Sequence, residues 1–228
     1  MLARVTATAA GERRVVRHRY GLLLITLFLS LGVQGIAPHG AFQQLVVTAL
    51  AGAGAALAVR AAGLRPWVLR LAVAFALLAL GLSAVRATLG GFGEGAGLVM
   101  NAALVALGPP AVALGIVRAL RETGQVQLTA VMGVLSLYLL LGMFFAFTYA
   151  AIDELAPPFF ASGKDATTSD CLYFSFTTLT TVGYGDFVAR TDLGHTLAVI
   201  EALIGQIYLV TVVSLIVSNL RPTARVRP

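Results

Sequence analysis

The chain has 228 residues, of which 58% are hydrophobic and 11% charged, with a formal net charge of +6. That balance excludes an ordinary soluble domain, and recurring apolar runs of about twenty residues make the lipid bilayer the solvent to reason with. A lone cysteine, Cys171, excludes an internal disulfide and any multi-cysteine metal site, and reads as a small buried packing residue.

Residues 1–19 are polar and basic, with no pattern that demands structure. A Leu-rich first span covers 20–37 and ends at Pro38-His39-Gly40. It follows Arg13, Arg14, Arg17 and Arg19, but it is long for the apolar region of a signal peptide and more spans follow at once. The second span, 42–59, holds Gly52, Gly54, Ala55 and Ala56, small enough for close helix approach in lipid. The link from Arg60 to Pro66 leads to a third span, 67–85, with Trp67 near one interface and Arg70 one turn inside, within snorkelling reach of the headgroups. A Gly-rich loop, 90–95, precedes the fourth span, 97–117, where Pro109-Pro110 predicts a kink or a broken helix.

Arg118, Arg121 and Glu122 sit in a polar link before the fifth span, 127–152, which becomes aromatic towards its end through Phe144, Phe145, Phe147 and Tyr149. Asp153 and Glu154 then open a turret-like loop. Thr168 or Ser169 is placed to cap a short helix, 168–179, and Thr191-Asp192 to cap the sixth span, 193–219. A tail, 221–228, follows. The expected organisation is an all-α membrane protein: a basic N-terminus (1–19), a four-helix unit (20–124) and a second unit (125–220) holding the last two spans.

The arginines orient it. With six spans both termini share a side, and placing them in the cytoplasm puts 13 of the 16 basic residues inside, leaving Arg86, Lys164 and Arg190 outside. Inverting the chain reverses that ratio, against the positive-inside rule. The net positive charge is thereby explained without nucleic acid, and the location expected is the cell membrane.

Between the short helix and the sixth span lies Thr180-Thr181-Val182-Gly183-Tyr184-Gly185-Asp186. Alternating glycines admit positive φ, which lets successive carbonyls turn to one side as a ladder of oxygens. Thr181 to Gly185 is the T-V-G-Y-G run of potassium-channel filters. On this stretch and its flanks, about 128–219, the chain resembles the potassium channels of the tetrameric P-loop superfamily.

The resemblance implies a homotetramer in lipid, a re-entrant pore helix and filter between helices 5 and 6, and passive conduction of K+ with no other cofactor or small-molecule substrate. It implies that Thr181, Val182, Gly183, Tyr184 and Gly185 coordinate K+, with Thr180 at the cavity end, Asp186 at the outer mouth and Tyr173 as the hydroxyl able to bond that acid. Gly205 resembles the inner-helix hinge, with helix packing the competing reading. Gln206, Leu209 and Val213 share a helical face suited to lining a cavity or to packing against lipid or neighbours. Glu201, an acid well inside a span, serves either the cavity or the back of the filter, the second being favoured.

The first four spans resemble the family only in number and placement. The fourth carries no charge between residues 97 and 117, whereas steep voltage gating takes about three to four charges per subunit. Weak or absent voltage dependence is expected. Alternatives are the pore subunit of a K+ uptake transporter, which usually fuses four filter loops where this chain has one, and a non-conducting sensor or scaffold. An enzyme is not expected: His18, His39 and His195 are scattered at span boundaries, and the polar residues show no nucleophile–base or metal-ligand spacing.

Overall fold

The computed structural model describes residues 2–36, 40–89, 94–123, 128–156, 158–163 and 166–219. They form helices α1 (Leu2–Ile36), α2 (Ala41–Ala61), α3 (Pro66–Leu89), α4 (Glu94–Ala106), α5 (Gly108–Thr123), α6 (Leu128–Leu155), α7 (Thr168–Leu179) and α8 (Asp192–Asn219). Six stretches are long and apolar enough to span a bilayer: Arg19–Ile36, Phe42–Ala61, Pro66–Val85, Gly97–Arg118, Val131–Leu155 and Asp192–Val212. The protein is an all-helical membrane protein. Pro38, His39, the Gly90–Gly93 part of the glycine loop, Lys164 and the tail beyond Asn219 lie outside the described residues.

Two local expectations are corrected. Residues 2–19 continue α1 rather than standing apart from it; the stretch lacks proline and holds alanine, arginine and glutamate, all good helix formers. The short helix is capped by Thr167, not by Thr168 or Ser169. Thr167 Oγ1 accepts the Asp170 amide at 3.1 Å, while Asp170 Oδ2 accepts the Thr167 amide at 3.1 Å and its hydroxyl at 2.7 Å, a closed capping box.

The fourth span breaks as the prolines require. Pro109 and Pro110 cannot donate to the carbonyls four residues back, so α4 stops at Ala106, Leu107 forms a turn bonded to Leu104, and α5 restarts with both prolines in its first turn.

The core is built around α6, against which α1, α4, α5 and α7 all pack. Leu23 and Leu27 of α1, Val105 of α4, Val112 of α5, and Leu140, Met143 and Phe147 of α6 form one buried cluster. Small residues draw α2 onto α3: a Cβ at Gly52 would meet the Ala76 Cβ at 2.7 Å. At the C-terminal end of α2, Arg19 donates to the Arg60 carbonyl at 3.2 Å and Arg118 to the Ala62 carbonyl at 3.4 Å. Both side chains thus rest on the negative end of α2.

The close α2–α3 approach makes a direct prediction. Gly52→Ala forces the helices apart and is expected to cost about 1–3 kcal/mol, read as a lowered midpoint of thermal unfolding in detergent. Gly81→Ala, where a Cβ has nothing within 4 Å, serves as the control and is expected to leave the midpoint unchanged or raised.

Candidate functional site

The helix α7 ends at Leu179, and Thr180 caps it, its Oγ1 donating to the Phe176 carbonyl at 2.6 Å. The chain then leaves the helix in a conformation that alternates in hand. Thr181, Gly183 and Gly185 have φ of 59°, 54° and 81°, while the intervening Val182 and Tyr184 do not take positive φ. Alternation of this kind turns successive peptide groups the same way. Glycine adopts it freely; Thr181, being β-branched, does not, and its position is held by hydrogen bonds. Thr181 N–H donates to the Thr178 carbonyl at 2.9 Å, and Val182 and Gly183 both donate to the Thr177 carbonyl, at 2.9 and 3.1 Å. The last carbonyls of α7, left over at any helix end, are thereby the anchor of the loop.

The loop is exposed in the single chain. Val182 is 52% and Tyr184 71% exposed, and Thr180, Thr181, Gly183, Gly185 and Asp186 are exposed as well. Ring contacts brace it: Tyr184 stacks on Tyr173 with centroids 6.2 Å apart and planes 8° apart, and Tyr173 meets Phe187 edge-on at 5.7 Å. The Tyr173 phenol lies above its ordinary pKa range, through desolvation first and then through its hydrogen bond to Asp186. Asp186 also accepts the Phe187 amide at 3.1 Å.

The segment after this loop is clasped by residues 159–161. Arg190 N–H donates to the Phe159 carbonyl at 2.8 Å, Ala161 N–H to the Val188 carbonyl at 2.9 Å, and His195 Nε2 lies 2.7 Å from the Ala189 carbonyl oxygen. Asp153 fastens the turret in turn, accepting the Phe159 amide at 2.7 Å and the Ala166 amide at 3.0 Å. Phe159, Phe160 and Phe174 fill the space beneath with Tyr149. Cys171 is fully buried there, and that burial first, then Asp153 and Asp170, pushes its thiol pKa up.

Glu201 sits behind α7, with no accessible surface. Tyr149 Oη donates to its Oε2 at 2.6 Å, and Ser175 Oγ lies 2.5 Å from its Oε1 and 2.7 Å from the Gly142 carbonyl oxygen. Three helices, α6, α7 and α8, meet in this one polar knot. Gln206 and Leu209 are exposed on α8, whereas Glu201 is buried; the Val213 side chain lies outside the described set. Tyr149 and Ser175, 52 and 26 residues away from Glu201, were not anticipated from sequence. An intramembrane acid calls for a partner, but nothing local says which.

Gly205 is buried where α8 crosses the end of α7. A Cβ there would collide with the Leu179 carbonyl oxygen and lie 3.0 Å from Leu179 Cδ1. Helix α8 runs unbroken through it. The same Leu179 oxygen accepts from Tyr138 at 3.2 Å, Tyr138 stacks on Tyr208 at 5.4 Å, and Tyr208 donates to the Val134 carbonyl. These contacts fix the base of the loop against both neighbouring helices.

Two substitutions read this geometry. Gly205→Ala is expected to push α8 off Leu179 at the end of α7, at about 1–3 kcal/mol, seen as a lowered unfolding midpoint; an unchanged midpoint would instead leave the glycine free for a role in bending. At Glu201, glutamine offers one oxygen to Tyr149 and an amide that donates to Ser175 while Ser175 donates to Gly142. Glu201→Gln is therefore expected to unfold within a few degrees of the parent, whereas Glu201→Leu strands two hydroxyls at about 1–3 kcal/mol each and unfolds clearly earlier.

Comparison with known proteins agrees with this arrangement. Residues 133–221 match the family described as "Ion channel". Over 91 residues the chain is 34% identical to the inward rectifier potassium channel Kirbac3.1 of Paramagnetospirillum magnetotacticum, a match covering 40% of this chain and 30% of that protein. No solved structure matches significantly. The similarity to the ion channel family thus lies in the segment 133–221, which holds most of α6, all of α7, the loop after it, and α8.

Proposed function

We propose that four copies of this chain assemble around the filter loop and conduct K+ passively across the cell membrane, with both termini in the cytoplasm. The observation that carries the reading is the loop itself, left- and right-handed in alternation from Thr181 to Gly185 and exposed in the single chain. One strand of carbonyls cannot replace an ion's hydration shell; four around an axis can. Cyclic symmetry supplies them from one gene product. The exposure of α8 supports the assembly, because its spanning window is only 11% buried, the least of the six. Leu203, Ile207 and Val210 stand free on it, ready to meet lipid or neighbouring copies.

The positive-inside distribution supports the orientation, and the same orientation sets Asp186 at the outer mouth, where a carboxylate concentrates cations. Thr180 faces the cavity end, with Gln206, Leu209 and Val213 along the conduction path beneath it. The negative end of α7 favours a cation in that cavity. Glu201 serves the rear of the filter through Ser175 and α7. Voltage has little to act on: Arg118 rests on the end of α2, and moving one charge through the full field contributes about 2.3 kcal/mol per 100 mV.

Reconstitution tests the proposal. Liposomes holding the protein are expected to release K+ far faster than Na+, with block by Ba2+. A well-folded tetramer with no flux would instead indicate a scaffold. Gly183→Ala puts a Cβ at a φ of 54° and is expected to abolish selective flux while the chain still folds. In planar bilayers the open probability is expected to vary only weakly between about −100 and +100 mV, since roughly three to four charges per subunit are needed for steep gating.

A further inference from the structure

Three short oxygen–oxygen contacts meet around Glu201, and they do not have enough protons unless the acid supplies one. Tyr149 Oη lies 2.6 Å from Glu201 Oε2, Ser175 Oγ 2.5 Å from Oε1, and the same Ser175 Oγ 2.7 Å from the Gly142 carbonyl oxygen. A hydroxyl carries one proton to donate and a carbonyl none. Tyr149 and Ser175 therefore bring two protons to three contacts. With Glu201 ionised, one contact is a pair of oxygens with nothing between them. A neutral carboxyl supplies the missing proton, and one arrangement then satisfies all three contacts. Tyr149 donates to Oε2, Glu201 donates from Oε1 to Ser175, and Ser175 donates to Gly142.

The two carboxyl contacts are short enough for either protonation state, so the contact to Gly142 decides. It is set by a close crossing of α6 and α7: Gly142 has no side chain, and a Cβ there would lie 2.6 Å from Phe176 Cζ. Glu201 has no accessible surface in the single chain, so a neighbouring copy adds no direct partner to the carboxyl. Among the described elements, α8 packs on α6 and α7. The titratable groups they bring to Glu201 are Tyr149 and Tyr138 of α6, with Cys171 of α7 acting on Tyr149. None of these is a cation, and a carboxylate buried without one is costly.

We propose that Glu201 is a positioning residue held as a neutral acid, whose proton lets Ser175 bond α8 and α6 at once. Ser175 stands two residues before Thr177, whose carbonyl receives the Val182 and Gly183 amides. Loss of the proton turns the Ser175 hydroxyl to the carboxylate and breaks its bond to Gly142. Helix α7 is then released from α6 beside the carbonyl that anchors the loop. The proton assignment stands apart from conduction, while its effect on K+ selectivity rests on the channel reading.

Infrared spectroscopy and ion flux on the full-length protein in liposomes test the two parts separately. At neutral pH the parent is expected to show the carbonyl stretch of a protonated carboxylic acid and to lose it at alkaline pH, a readout that needs no variant. Glu201→Gln is expected to lack the band. In flux, the parent's preference for K+ over Na+ is expected to fall about fivefold from neutral to alkaline pH, the worth of one neutral hydrogen bond. Glu201→Gln keeps the same pattern of donors with no proton to lose, so its preference is expected to be the same at both. No such band in the parent at neutral pH, or the same band in Glu201→Gln, overturns the proton assignment whatever the flux. The band found as expected, with an equal fall of preference in both proteins, overturns the positioning role. The band found with no flux at any pH supports the proton on Glu201 and refutes conduction instead.

Discussion

A short loop of alternating hand cannot hold itself. Thr181 at a φ of 59° lies where a β-branched residue is strained, and such strain, about 1–3 kcal/mol per residue, persists only where the surroundings over-determine it. The surroundings here are the carbonyls of Thr177 and Thr178 at the end of α7, which accept the loop's amides. Their position depends in turn on α7 as a whole. The Thr167–Asp170 capping box fixes its start, Ser175 and Glu201 hold its middle, and Gly205 and Tyr138 meet its final carbonyl. Much of the pore unit can be read as a clamp on one helix of twelve residues.

That dependence explains why so much polar chemistry is buried in a lipid-facing protein. Each buried polar group is costly unless bonded; around α7 the bonded groups are Tyr149, Ser175, Glu201 and Asp153, and among the first helices they are Gln34, Gln43 and the Thr48–Ser83 pair. The first four spans differ in their apolar packing. Their core is built largely from Ala, Val and Leu, and the broken fourth span carries no charge until Arg118. They pack on α6 through α1, α4 and α5.

The spans were legible because lipid imposes a length and an apolar composition, and the break in the fourth was legible in Pro109-Pro110. The glycine spacing of the loop foretold its handedness at Gly183 and Gly185. Three neighbouring hydroxyl residues, Thr167, Thr168 and Ser169, made the cap of α7 ambiguous by one position, since any of them can accept an amide. The helical course of residues 2–19 was missed because basic, polar sequence shows no burial pattern even where it continues a helix. The partners of Glu201 were invisible, because contacts between helices follow packing rather than any period along the chain. Gly205 shows the same limit: sequence marks a glycine, and only the crossing with Leu179 shows what its missing side chain makes room for.

The central claim is that the loop from Thr181 to Gly185 is one quarter of an ion-coordinating column. Cryo-electron microscopy of the full-length protein in lipid nanodiscs, with K+ as the sole monovalent cation, tests it most directly. The account predicts a fourfold assembly with the four loops on the axis and discrete ion density between successive rings of their carbonyl oxygens. Loops lying away from the symmetry axis, or an assembly without fourfold symmetry, would contradict it.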